Sequence, residues 1–185
     1  MQRFARMYFG GQKTAKDYHT ALYWFKEAFD KGDDDSESFI GIIYTFGENG
    51  VDRDFDLAEI WCTKETSRSI LIRGVLYGVR DDSKQSWEKA FECATKVAGF
   101  NFGNAQVYLG HIYQLGLGRE KDYKLAMDWY KKAKEKGDRD AMARIGVMYH
   151  YRYVVSIKYS EALTLYQKAG NCGEALNGTL ETQKI

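Results

Sequence analysis

Apolar residues in this chain fall into two linked spacings that return about every 36 positions. Tyr8, Tyr44, Tyr77, Tyr113 and Tyr149 stand 36, 33, 36 and 36 residues apart, and three residues before each lies a small residue, Ala5, Gly41, Gly74, Gly110 or Gly146. Ten or eleven positions after each tyrosine comes a second aromatic, Tyr18, Phe55, Trp87, Tyr123 or Tyr159. Three residues further on are Ala21, Ala58, Ala90, Ala126 and Ala162, and three beyond those are Trp24, Trp61, Cys93, Trp129 and Leu165. A period of this length, held five times, marks an array of repeated supersecondary units.

Both spacings are helical. In the fourth unit Ala105, Leu109, Ile112 and Tyr113 recur at i, i+4, i+7 and i+8, and Tyr123, Ala126, Met127, Trp129, Tyr130 and Ala133 form a second amphipathic stretch. The connection from Leu115 to Asp122 is polar and glycine-bearing, and Gly32, Gly137 or Gly173 follows the second stretch as a helix stop, with Ser69 and Asn101 in that place in the other two units. Each unit therefore reads as a helical hairpin, and the chain as ten or eleven helices with no sheet. A glycine inside a helix costs about 1 kcal/mol relative to alanine, so its recurrence predicts a close crossing of the two backbones, near the short end of the usual ~8–10 Å. The Trp24, Trp61, Cys93, Trp129 and Leu165 position is expected to pack between adjacent hairpins.

From Ala105 to Asp138 the chain reads AQVYLGHIYQLGLGREKDYKLAMDWYKKAKEKGD. Its A-x-x-x-L-G-x-x-Y start, the G-x-G turn at Gly116 and Gly118, and the D-Y-x-x-A-x-x-W-Y-x-K-A run from Asp122 closely resemble the Sel-one-like repeat, a relative of the tetratricopeptide repeat. The first unit repeats the pattern through Tyr8, Asp17, Tyr18, Ala21, Trp24 and Ala28, and the second, third and fifth follow it more loosely. The resemblance implies an all-α, right-handed α/α superhelical solenoid of about five helix-turn-helix repeats, with first helices lining the concave face and second helices the convex one. The expected organisation is a single solenoid domain over 1–185, with repeats over 1–33, 34–69, 70–101, 102–138 and 139–173 and a cap or tail over 174–185.

Three departures from the pattern carry information. Ser69 to Tyr77 is four residues shorter than the equivalent Gly32 to Tyr44, about one helical turn, which is expected to be missing between the second and third hairpins. In the fifth unit the glycine-bearing turn is replaced by His150, Tyr151, Arg152, Tyr153, Val154, Val155, Ser156 and Ile157, which reads either as a contact surface or as a segment folded back over the last hairpin. Phe4 and Phe9 have no preceding hairpin to cover them, which points to a longer array, a partner or end-to-end self-association.

Composition narrows the function. The 185 residues, 44% apolar and 29% charged, suit one folded domain or a short array, and the absence of proline argues against long irregular loops. A formal charge of +1 supplies no field to hold nucleic acid or an acidic membrane surface, and no apolar run approaches a membrane span, so neither is an expected partner. Three cysteines, an odd number, fit a reducing, cytoplasmic setting.

Where the repeat is kept, residues serve the fold, so functional side chains are sought where it varies. Along the first helices the variable positions run Arg3, Arg6, Phe9; Phe39, Ile42, Thr45; Ile72, Val75, Gly78; Tyr108, His111, Gln114; and Arg144, Val147, His150. Arg3, Arg6, Phe39, Tyr108, His111, Arg144 and His150, with Tyr151 and Tyr153 from the fifth turn, are the candidate contacts for another protein or a peptide segment, because Tyr and Arg are enriched in interface hot spots. Five first helices about 9 Å apart and roughly 18 Å long offer on the order of 650 Å², a polypeptide-sized surface. No catalytic residue, cofactor or metal is expected. Cys62 and Cys93 sit at packing positions, the Asp33–Glu37 and Asp52–Asp56 carboxylates lack the spacing of a calcium loop, and His111 and His150, placed to face each other, lack a third ligand. The resemblance implies adaptor or scaffold work, or else a dedicated inhibitor such as an immunity protein; a His-dependent hydrolase is the third reading.

Overall fold

A computed structural model of the chain describes residues 1–11, 14–47, 49–81, 83–100, 102–151, 153 and 159–170. Asn101, Arg152, Gly173, residues 154–157 and the tail 174–185 lie outside them. Among the described residues there are ten helices and no strand: α1 (Gln2–Gly10), α2 (Tyr18–Asp30), α3 (Asp35–Phe46), α4 (Phe55–Ile60), α5 (Ser67–Arg80), α6 (Lys84–Ala98), α7 (Gly103–Leu115), α8 (Tyr123–Lys134), α9 (Arg139–His150) and α10 (Tyr159–Ala169). They form two compact units, Met1–Cys93 and Ala94–Ile185.

One local device closes three of the hairpins. α1, α3 and α7 each end on a left-handed glycine, Gly11 (φ 67), Gly47 (φ 57) and Gly116 (φ 73), a conformation that L side chains resist. The chain then returns to an aspartate, Asp17, Asp54 or Asp122, whose carboxylate accepts a hydrogen bond from the backbone N–H of Thr20, Leu57 or Leu125 at 3.1, 2.9 and 2.9 Å. The backbone N–H of the same aspartate donates to the carbonyl of Tyr8, Tyr44 or Tyr113 at 3.1, 2.9 and 2.9 Å. The periodic tyrosine and the periodic aspartate are thus two ends of one turn; of the Asp33–Glu37 and Asp52–Asp56 carboxylates, Asp54 is a helix cap of this kind, whereas Asp34 at the start of α3 makes no side-chain cap bond. Gly32 (φ 91) and Gly137 (φ 80) stop α2 and α8 as expected.

Two expectations about boundaries change. The turn missing from the second repeat comes out of α4 itself, which is 6 residues long against 13 for α2 and 12 for α8. Ser69, aligned with the glycine stops, instead lies in the first turn of α5, buried and held by the N-cap Thr66 through its backbone N–H at 3.2 Å. In the last hairpin α10 stops at Gly170 (φ 66), three residues before Gly173.

Each unit has its own core. In the first, Ala5, Tyr18, Ala21, Leu22, Phe25, Ile40, Ile43 and Val51 cluster, with Phe9, Trp24, Phe39 and Trp61 packed against them. In the second, Val107, Ala126, Met127, Tyr130, Ala133, Ala141, Ile145, Met148 and Leu165 cluster. At Leu165 the expected second-helix frame position is buried in the core, but in the other four hairpins the more deeply buried position is the next one. Trp24, Trp61, Cys93 and Trp129 are only half-buried, whereas the residues that follow them, Phe25, Cys62, Ala94 and Tyr130, are fully buried. The periodic alanine and this next position are four apart, a spacing that keeps both on the side facing the first helix.

In the α4, α8 and α10 hairpins this next position faces the periodic glycine, and in the α6 hairpin Cys93 itself does. A Cβ on Gly110 would stand 2.6 Å from Tyr130 Cδ1, and one on Gly146 2.7 Å from Tyr166 Cε1, so in the second unit the glycine makes room for a tyrosine ring. In the first unit the reason is closer to the expected backbone crossing: Gly74 lies against the Ala90 carbonyl and Cys93 Cβ, and Gly41 against the Cys62 sulfur and the Ala58 carbonyl.

Candidate functional site

In the first unit the first-turn and mid-helix positions of α1, α3 and α5 bring three side chains together. The guanidinium carbon of Arg6 lies 5.0 Å from the ring centroid of Phe39, and that of Arg68 lies 5.2 Å from the same centroid. Phe39 is fixed from the core side by Phe25, stacked at 4.8 Å with an interplanar angle of 2°, and by Phe9, edge-on at 5.6 Å. Asp35 stands between the two cations, 4.0 Å from Arg6 Nη2 and 3.6 Å from Arg68 Nη1. Arg6 and Phe39 are thus brought together as part of one cluster, and Arg3 stays exposed one turn away on α1. Two of the residues read as groove-lining are not on a surface: Thr45 is fully buried, donating to the Gly41 carbonyl at 2.7 Å, and Ile72 is buried.

The second unit repeats this diagonal with different chemistry. His111 on α7 and Arg144 on α9 occupy the turns equivalent to Arg6 and Phe39. Arg144 Nε is paired with Asp140 at 3.0 Å, one turn back on α9, and its guanidinium carbon lies 6.0 Å from the centroid of Tyr130. The Tyr130 ring passes through the gap left by Gly110, and its hydroxyl donates to Gln114 Oε1 at 2.7 Å. Burial pushes that hydroxyl up to about 12, against the pull of Arg144. Burial alone would lower the Arg144 guanidinium, but Tyr130 and Asp140 outweigh it and the net shift is upward. Burial holds His111 below its usual 6.5, the Arg144 charge adds to this, and Asp140 opposes it, so His111 is neutral near pH 7. Tyr108 and His111 are half-buried on the same helix.

At the fifth turn the described residues are Tyr151 and Tyr153, and Tyr153 meets the first residue of α8. Tyr153 stacks on Tyr123 at 4.5 Å and 10°, Tyr151 lies 5.8 Å from Tyr153, and His150 meets Tyr151 edge-on at 4.8 Å. Each of the four rings therefore has an aromatic neighbour. His150, Tyr151 and Tyr153 come together with one another and with Tyr123, whereas His111 goes to Arg144. The Tyr166 hydroxyl, counterpart of Tyr130's, is buried with no hydrogen-bond partner among the described residues and is pushed up to about 12 by burial and by Tyr151.

Sequence reasoning missed Asp35, Arg68, Asp140 and Tyr130. The first three lie one turn before the rows chosen as variable, and Tyr130 belongs to a second helix. Their signal was the glycine, which leaves a ring-sized gap, and the opposite charges spaced a turn apart on neighbouring first helices. Elsewhere the chemistry is quiet. Burial and Glu37 push the Cys62 thiol up to about 12, burial raises Cys93 as well, and both are poor nucleophiles. Among the described residues no three His, Cys, Asp or Glu side chains are grouped to hold a metal ion, and no helix is long and apolar enough to cross a membrane.

The model of the Sel1 repeat matches residues 2–33, 35–64, 103–138 and 139–174, leaving 65–102 between its segments. Among curated proteins, the chitin synthase regulator SKT5 of Saccharomyces cerevisiae is 25% identical over 135 residues, 70% of this chain and 19% of that protein, so the chain spans about a fifth of its curated relative. Among solved structures, a protective antigen of uropathogenic Escherichia coli strains displaying an SLR fold aligns over 100% of this chain and 41% of its own, at 26% identity and a TM-score of 0.70. A Sel1 repeat protein of Oxalobacter formigenes aligns over 100% of this chain and 55% of its own, at 25% identity and a TM-score of 0.60. An immunity protein of Pseudomonas aeruginosa shares the fold at 18% identity and a TM-score of 0.65, over 94% of this chain and 66% of its own. With the repeat model matched over more than half of the chain and its helices arranged as in solved SLR folds, the chain belongs to the Sel1 repeat family.

Proposed function

We propose that the first-helix faces of the two units bind another protein, or a peptide segment of one, and that the chain works as an adaptor without catalysing a reaction. Sel1 repeats act as protein-interaction modules. The observation that carries the reading for this chain is the contrast between frame and face. The periodic residues are consumed by turns and cores, while Arg6, Phe39, Tyr108, His111 and Arg144 remain at least partly accessible at equivalent turns and differ from hairpin to hairpin. Rigid aromatic and arginine side chains held by stacking and ion pairs suit an interface anchor, since little rotamer freedom is left to lose on binding.

The test pairs a face variant with a control from the other helices. Once a partner is recovered by pull-down from the native host, calorimetry on Tyr108→Ala/Arg144→Gln is expected to show affinity lower by about thirtyfold or more, as for loss of two anchors. Lys131→Ala/Lys134→Ala, on exposed positions of α8, is expected to change it by about 0.5 kcal/mol or less. The opposite ranking refutes the reading. Adaptor and inhibitor use the same face, and the partner's own activity, assayed free and in the complex, separates them: the Saccharomyces relative is named as a regulator and the Pseudomonas structure as an immunity protein.

A further inference from the structure

Phe4, Trp24 and Tyr23 form a chain of rings on one side of the first hairpin. The Phe4 centroid lies 5.9 Å from that of Trp24, and Tyr23 meets Trp24 edge-on at 5.2 Å. Phe4 is 56% and Tyr23 57% exposed, Trp24 is half-buried, and the exposed Met1 has its sulfur 3.3 Å from Lys31 Nζ. Phe9, the other phenylalanine of α1, is packed against the core instead. The same positions in later hairpins are covered. Ile40, Leu109 and Ile145 stand in Phe4's place, four residues before the periodic tyrosine, and are buried; the third hairpin has the partly buried Arg73 there. Trp61, in Trp24's place, is met edge-on at 5.2 Å by Phe29 of the hairpin before it. Trp24 therefore stands where a tryptophan receives a neighbour's ring, and no described residue outside its own hairpin supplies one.

We propose that this face is a two-fold contact between two copies of the chain, in which the Tyr23 ring of each copy takes, on the other's Trp24, the place that Phe29 takes on Trp61. A second copy fits because the face carries both halves of the contact, a tryptophan that receives a ring and an exposed ring to offer, and a two-fold axis makes both contacts at once. Glu27 and Lys31, one turn further along α2, are paired with each other at 3.9 Å, so the patch has an apolar centre and a polar edge. An aromatic side chain buries about 150–250 Å², so the exposed parts of Phe4, Tyr23, Trp24 and Met1 come to roughly 350 Å² per copy and about 700 Å² in a pair. That is short of the ~1,200 Å² of a stable complex, and the dimer is a weak one, with a Kd on the order of 100 µM. It uses none of Arg6, Phe39, Tyr108, His111 and Arg144 and stands independently of the partner-binding reading.

Sedimentation velocity on the whole chain, from about 5 to 500 µM, tests the contact. A monomer–dimer equilibrium that stops at two copies is expected, and raising NaCl from about 0.05 to 0.5 M should not weaken it, because the contact is apolar. Tyr23→Glu is expected to leave the chain monomeric over the whole range, while Tyr23→Phe, which keeps the ring, dimerises within about twofold of the parent chain. Ile60→Glu is the control: Ile60 is 63% exposed and holds on α4 the place of Tyr23 on α2, so this variant should dimerise like the parent. All three changes fall on exposed positions and should leave the melting curve nearly unmoved, within about 0.5 kcal/mol. A chain monomeric to about 500 µM, growth past two copies as in a head-to-tail contact, a dimer that survives Tyr23→Glu, or one lost equally in Ile60→Glu overturns the proposal.

Discussion

Replacing Tyr130 and its neighbour Trp129 in turn separates the frame of the second unit from its surface. Tyr130 is 0% exposed, so truncation to alanine removes a whole buried ring, for which comparable Phe→Ala changes cost about 3–5 kcal/mol. The hydroxyl's bond to Gln114 at 2.7 Å adds roughly 1 kcal/mol, which places Tyr130→Ala at about 4–6 kcal/mol and Tyr130→Phe near 1. Trp129 is half-buried, and its clearest partner is Lys132, 4.0 Å above the ring, an exposed cation–π contact of about 0.5–1 kcal/mol. With its partial burial, Trp129→Ala is expected to cost about 1–2 kcal/mol. Urea unfolding followed by circular dichroism measures all three, provided the m values agree. Against a total stability of about 5–15 kcal/mol, Tyr130→Ala should bring the midpoint far down, and Trp129→Ala should move it modestly. If Trp129→Ala costs as much as Tyr130→Ala, the face of α8 turned toward Gly110 has been misassigned.

Three further outcomes follow from the same geometry. Gly110→Ala is expected to destabilise despite the better helix propensity of alanine, because overpacking against Tyr130 at about 1–3 kcal/mol outweighs the roughly 1 kcal/mol gained; in a Tyr130→Ala background the same change should become neutral or stabilising, which a double-mutant cycle reads directly. Asp122→Ala should cost about 1 kcal/mol by uncapping α8, measured in thermal melts, while Asp122→Asn, which keeps the acceptor oxygen, should cost much less. His111 has a folded-state pKa held below its usual 6.5, so the unfolded chain takes up its proton first as pH falls; its contribution is complete above about pH 6.5 and declines below it, and stability-versus-pH curves of His111→Gln should lose that component.

The sequence shows the hairpins plainly because their signals are local. A tyrosine, a left-handed glycine and an aspartate cap follow one another within about ten residues, so Tyr113, Gly116 and Asp122 announce the turn before any packing is known. It hides the face of the second helix, since Trp129 and Tyr130 are adjacent, large and apolar, and only the gap at Gly110 on the partner helix decides which turns inward. The shortened α4 is ambiguous for a related reason: the spacing shows that a turn is missing but not whether helix or connection lost it, and the Thr66 cap that starts α5 early settles this. The Arg6–Phe39–Arg68 cluster draws on three different hairpins, so no window along the chain contains it.

The pairing of each glycine with what fills it bears on how such an array grows. Gly110 with Tyr130, and Gly146 with Tyr166, are matched across the inside of a hairpin, while Gly41 is matched to the much smaller Cys62. A gene duplication that copies α7 and α8 together carries the gap and its ring as one heritable piece, and the new hairpin is packed from the outset. A crossover between α3 and α4 on one side and α7 and α8 on the other would set a Tyr130 ring where a sulfur fits, or leave Gly110 opposite a void. Duplication with breakpoints in the connections that follow Gly32 or Gly137 therefore keeps each gap with what fills it, whereas a breakpoint in the turn after Gly116 separates Gly110 from Tyr130.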